Sequence, residues 1–61
     1  MDFGQALAAV KAGGKATRQE WAANGAHIFL SEGAIQWQSN DHPPQVYHPN
    51  AGDMLAEDWE A

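Results

Sequence analysis

Three histidines, His27, His42 and His48, are the only imidazoles in the 61-residue chain. Imidazole is the commonest ligand for transition metals and the usual proton carrier near neutral pH. The intervals of fifteen and six residues between them match no usual metal-ligand spacing. There is no cysteine, so a Cys-based zinc site and a disulfide framework are both excluded. Ser31 and Ser39 fall in turn-like stretches with no acid and base that can be placed around either. Glu57 and Asp58 are adjacent, and neighbours on an extended segment point to opposite faces, so they do not converge as an acid pair. Gly13-Gly14-Lys15 resembles a fragment of a phosphate loop. Position 9 is Ala where that loop needs Gly, and position 16 is Ala where it needs Ser or Thr, so a helix C-cap is the better reading. The expectation is no catalytic residue, no metal and no cofactor.

The aromatic and basic residues carry more. Three tryptophans in 61 residues is high for so small a core. Trp21 follows Thr17-Arg18-Gln19-Glu20 and precedes Ala22-Ala23-Asn24-Gly25, outside any obvious core strand. A planar ring beside a guanidinium can seat a nucleobase, with Arg18 taking the phosphate. The plainer reading is that Trp21 packs under a helix as core. Net charge is −5, and the only three basic residues, Lys11, Lys15 and Arg18, lie within eight positions. Four of the eight acids, Asp53, Glu57, Asp58 and Glu60, lie in the last nine. Duplex nucleic acid requires a broad basic surface to displace counterions, and this chain has none. A small anion needs only one or two cations, although the same residues also read as solvated surface charges.

The elements that must position these residues follow from pattern. Asp2 with Gln5 three residues later forms a capping-box signature, and Phe3, Ala6, Leu7 and Val10 recur at helical spacing. Gly13 and Gly14 close the helix, which spans about residues 2–12. Lys15 to Arg18 is a short strand or extended entry. His27–Leu30 and Ala34–Gln38 read as a β-hairpin around Ser31-Glu32-Gly33, with Ile35 and Trp37 on one face. Ser39 to Pro44 reads as a loop, Gln45 to His48 as a short strand, and Pro49-Asn50-Ala51-Gly52 as a turn. Asn50 could cap a single helical turn at Asp53 to Glu57, and Trp59 could close a last strand. The class expected is α+β, one domain over residues 1–61, with the N-terminal helix packed on a small antiparallel sheet. A chain this short hides only about 60% of its unfolded surface, and small domains commonly add disulfides, a metal or a partner subunit. A homo-oligomer is therefore expected. No apolar run approaches the roughly 20 residues of a membrane span, and the opening MDFGQALAAVKAGGK lacks the pattern of a signal peptide. The reading is a soluble intracellular protein.

Two segments resemble a known family. Phe3-Gly4-Gln5-Ala6-Leu7, Gly14-Lys15 and Arg18-Gln19-Glu20-Trp21 are similar to the opening of the phage-encoded Thoeris anti-defence 2 family. Tyr47-His48-Pro49 and Asp53-Met54-Leu55-Ala56-Glu57-Asp58-Trp59 are similar to its ending. The chain departs from the family pattern at Ala22-Ala23-Asn24-Gly25-Ala26, where the family carries an additional lysine, and in a short middle from Ser39 to Gln45. The resemblance implies a small α+β domain assembled as a homotetramer in the host cytoplasm during infection. It also implies a sponge that binds a cyclic nucleotide-type immune signal, a cyclised ADP-ribose or a cyclic oligonucleotide, without breaking it. On that reading Trp21 stacks on a base and Arg18 meets phosphate. Tyr47, Asn50 and Asp53 then form the polar edge of an interface pocket, with Asp53 accepting from a ribose hydroxyl or base amine. The alternative is a protein-binding inhibitor of a host defence nuclease, anti-CRISPR-like, using the acidic stretch from Asp53 to Glu60. A hydrolase ranks third, because no nucleophile, metal site or acid pair is visible.

Overall fold

The computed structural model describes residues 1–61. The capping box forms as expected: the Asp2 carboxylate accepts from the Gln5 N–H at 2.8 Å, and the Asp2 N–H donates to Gln5 Oε1 at 2.9 Å. These bonds open helix α1, Phe3–Lys11. Its end is a Schellman motif built on the glycine pair. Gly13 takes a φ of +97°, its N–H donates to the Val10 carbonyl, and the Gly14 N–H donates to the Ala9 carbonyl. Ala6 and Val10 on the apolar stripe are fully buried.

Beyond α1 the chain builds strand β1 (Lys15–Arg18), then a 3-10 helix over Gln19–Asn24. Strands β2 (His27–Ser31), β3 (Ala34–Ser39) and β4 (His42–Val46) follow, then a short helix α2 (Ala51–Leu55) and strand β5 (Trp59–Glu60). The five strands form one antiparallel sheet in the order β4-β3-β2-β1-β5. The α+β class is thus as expected. The β2–β3 hairpin turns through Glu32 and Gly33, both with positive φ, the signature of a two-residue type I′ turn.

Three expectations differ from the structure. Ser39 to Pro44, read as a loop, supplies most of β4. Pro43 and Pro44 lack N–H donors, which argues against a central strand. They are tolerated because β4 lies at the sheet edge, and its register against β3 is irregular between Trp37 and Ser39. The strand expected at Gln45 to His48 overlaps β4 only at Gln45 and Val46. The helical turn expected at 53–57 starts earlier, at Ala51, with Asn50 as its N-cap.

Opposed residues in an antiparallel sheet share a face, so Ala16, Ile28, Trp37 and Gln45 form one row on one side. Helix α1 packs on β1, β2 and β5. The core is accordingly Ala6, Val10, Ala16, Ile28 and Trp59, with Phe3, Trp21, Trp37 and Tyr47 packed at its margin. Only 8 of 61 residues are buried, too few to wall an internal cavity. A surface cleft opens instead at the β3–β4 end of the row. No helix is long and apolar enough to cross a membrane.

Candidate functional site

A cleft of about 580 Å³ opens where the 3-10 helix, the β3–β4 edge and α2 meet. The 3-10 helix supplies Glu20 and Trp21, β3 supplies Trp37, and β4 supplies Gln45 and Val46. The chain leaving β4 adds Tyr47, His48 and Asn50, and α2 adds Asp53. Its volume lies within the roughly 300–1,000 Å³ of small-molecule sites. Aromatic walls combined with amide and carboxylate groups suit a ring that carries hydrogen-bonding edges.

Asp53 holds one side of the cleft together. It is 7% exposed, and every polar atom of the residue is used. Its N–H donates to Asn50 Oδ1 at 2.8 Å, the N-cap bond that starts α2. Its carbonyl accepts from Trp59 Nε1 at 3.0 Å. Oδ1 accepts from Arg18 Nη1 at 2.9 Å, and Oδ2 accepts from the Tyr47 hydroxyl at 2.7 Å. Burial, with the hydrogen bond to Asp53 second, pushes the Tyr47 phenol above its ordinary range, which keeps it a donor.

Arg18 sits behind Asp53. Its Nε donates to Asp58 Oδ1 at 2.9 Å, and its Nη1 also pairs with Glu20. The hydrogen bond from Arg18 holds the Asp58 carboxyl below its ordinary range, and the same bond raises Arg18 in turn. The guanidinium lies 6.0 Å from the ring centroids of both Trp21 and Trp59, within cation–π range. Trp21 stands edge-on to Trp59 at 5.1 Å and to Tyr47 at 6.3 Å.

Four of the five residues singled out in the sequence, Trp21, Tyr47, Asn50 and Asp53, line the cleft together. The fifth, Arg18, does not. It was expected as a free cation for phosphate, and instead three carboxylates occupy it. Trp21 packs edge-on against Trp59 at the margin of the core, and it also lines the cleft. Sequence reasoning missed Glu20, Trp37, Gln45, Val46 and His48. Trp37 carried a signal in its shared face with Ile35. Gln45 carried none until β4 was in register opposite Trp37.

The histidines are dispersed, and no group of three or more His, Asp or Glu side chains could hold a metal. His42 pairs with Ser39 across the β3–β4 turn, Nδ1 to Oγ at 3.1 Å. His27 Nδ1 lies 3.1 Å from the Gly25 carbonyl. Both contacts brace turns.

No curated protein matches the sequence significantly. A family model, Tad2-like, described as the Thoeris anti-defense 2-like domain, matches residues 1–61. That is the whole chain, from the capped first helix through the Asp53 network to β5, and the protein belongs to this Thoeris anti-defense 2-like family.

Proposed function

We propose that this protein acts against Thoeris-type defence by binding a cyclic nucleotide-type signal and withholding it intact. Family membership points to a Thoeris anti-defence role, and sequestration is the way in which this chain would perform it. The observation that carries the reading is the open cleft of about 580 Å³ lined by Trp21, Trp37 and Tyr47, large enough for a nucleotide. A sponge needs affinity and a slow off-rate, with no group that attacks the ligand. The Asp53 network suits that task, because it pre-organises the wall before a ligand arrives and so lowers the entropic cost of binding. A homo-oligomer, tetrameric in the family it resembles, would cover the open side of the cleft.

The test is direct. Purified protein is mixed with cyclised ADP-ribose isomers or cyclic oligonucleotides, freed of unbound ligand, and heat-denatured. Recovery of unaltered ligand supports sequestration. A chemically altered ligand overturns it in favour of an enzyme, and failure to retain any of these ligands overturns it outright. The protein-binding alternative draws less support than its charge count suggested. Arg18 neutralises part of the acidic stretch through Asp53 and Asp58, leaving Glu57 and Glu60 exposed.

A further inference from the structure

The charge around the cleft has the wrong sign for a phosphate site. The chain has three basic residues. Arg18 is the one near the cleft, and it is enclosed by Glu20, Asp53 and Asp58, with its side chain 12% exposed. One guanidinium against three carboxylates leaves two negative charges uncancelled. Glu20 and Asp53 themselves line the cleft, whereas Lys11 and Lys15 do not. The Tyr47 hydroxyl spends its proton on Asp53. The remaining polar lining is the His48 imidazole and the amides of Gln45 and Asn50, and Asn50 Oδ1 is committed to the α2 cap.

Such a cleft attracts hydrogen-bond donors and partial positive charge, and repels anions. Resting on the sponge reading, we infer that the cleft receives the ring end of the signal. It selects a base bearing an exocyclic amine, and the ligand's phosphates point away from it into solvent or towards another chain. Aromatic walls take the base faces. Glu20, 60% exposed at its side chain, gives Oε1 to Arg18 and keeps Oε2 as the acceptor that meets an amine at the rim. Recognition thus reads donors on the ring rather than charge on the phosphate.

The indole N–H signals of the three tryptophans provide the readout, in a ¹⁵N-labelled sample of the full chain. Adenosine, inosine, AMP and one cyclic ADP-ribose isomer are titrated separately at low and high salt. Adenosine is expected to shift the Trp21 and Trp37 signals more than inosine at equal concentration. AMP is expected to bind no more tightly than adenosine, and its affinity is expected to hold or rise with salt, because screening relieves repulsion. Glu20→Gln, at an exposed position, should strengthen AMP binding by about two- to five-fold and weaken the preference for adenosine over inosine. AMP binding tighter than adenosine, affinity falling steeply with salt, or inosine equal to adenosine would each overturn the inference. Those results leave sequestration standing if the cyclic ADP-ribose isomer still binds. If none of the four compounds moves the indole signals, this inference falls, and retention of intact signal in the preceding experiment decides whether the sponge reading falls with it.

Discussion

Asp53 is a short acid that must satisfy an arginine and a phenol at once while almost entirely out of water. Removing one partner of a buried pair leaves the other uncompensated, and that penalty exceeds the net worth of the pair itself. Asp53→Ala is therefore expected to lower stability by about 3 kcal/mol in urea titration, discounted from the fully buried case because Arg18 keeps Asp58 and Glu20. The network also predicts two opposite pH effects. The sole tyrosine, Tyr47, has its proton held more tightly in the folded chain than in the unfolded one. The stability this lends is present below the ordinary value of 10.0 and declines as pH rises beyond it. Tyrosinate absorbance should consequently stay low through pH 10 and appear only as the chain unfolds, while Tyr47→Phe removes this alkaline linkage. Asp58 is shifted downward, so its contribution is present above the ordinary value of 3.8 and is lost as pH falls through the lower folded value. Asp58→Asn should flatten that part of the acid-unfolding curve. A curve unchanged by this substitution would show that the pair with Arg18 has no linkage effect.

Among the elements, α1 and the β2–β3 hairpin are determined locally. Asp2→Ala should cost about 1 kcal/mol in thermal or urea unfolding, the usual loss for an N-cap. Glu32 occupies a left-handed position with φ +54° that suits Asn far better. Glu32→Asn is expected to stabilise the chain by about 0.5–1 kcal/mol, since it relieves that strain and touches nothing in the cleft. These elements were legible in the sequence because capping residues, glycine pairs and alternation act over a few residues. Strand β4 was legible only at Gln45 and Val46. Its consecutive prolines signal a loop, and only its edge position makes them acceptable.

At the scale of the molecule, a 6.6 kDa chain with 8 buried residues keeps Leu30, Val46, Met54 and Leu55 exposed. A core this small is marginal by itself, and exposed apolar side chains on such a chain favour self-association. The expected solution mass is a multiple of 6.6 kDa in sedimentation equilibrium at micromolar protein. Leu55→Asp, at the most exposed of the four, should shift that mass towards a single chain while α1 retains its helical circular dichroism. A single-chain mass for the unmodified protein would count against assembly.

The amino-acid order alone determined the α+β class, the capped first helix, the tight hairpin and the cap at Asn50, since each depends on neighbours within a few residues. It also marked Trp21, the family resemblance added Tyr47, Asn50 and Asp53, and the fold brings these four to one cleft. Only the tertiary structure decided what Arg18 does. Its partners Asp53 and Asp58 are 35 and 40 residues away in sequence, and a charge's availability depends on which opposite charges the fold places beside it. The same holds for Gln45, which reached the cleft through a strand register that no local pattern encodes.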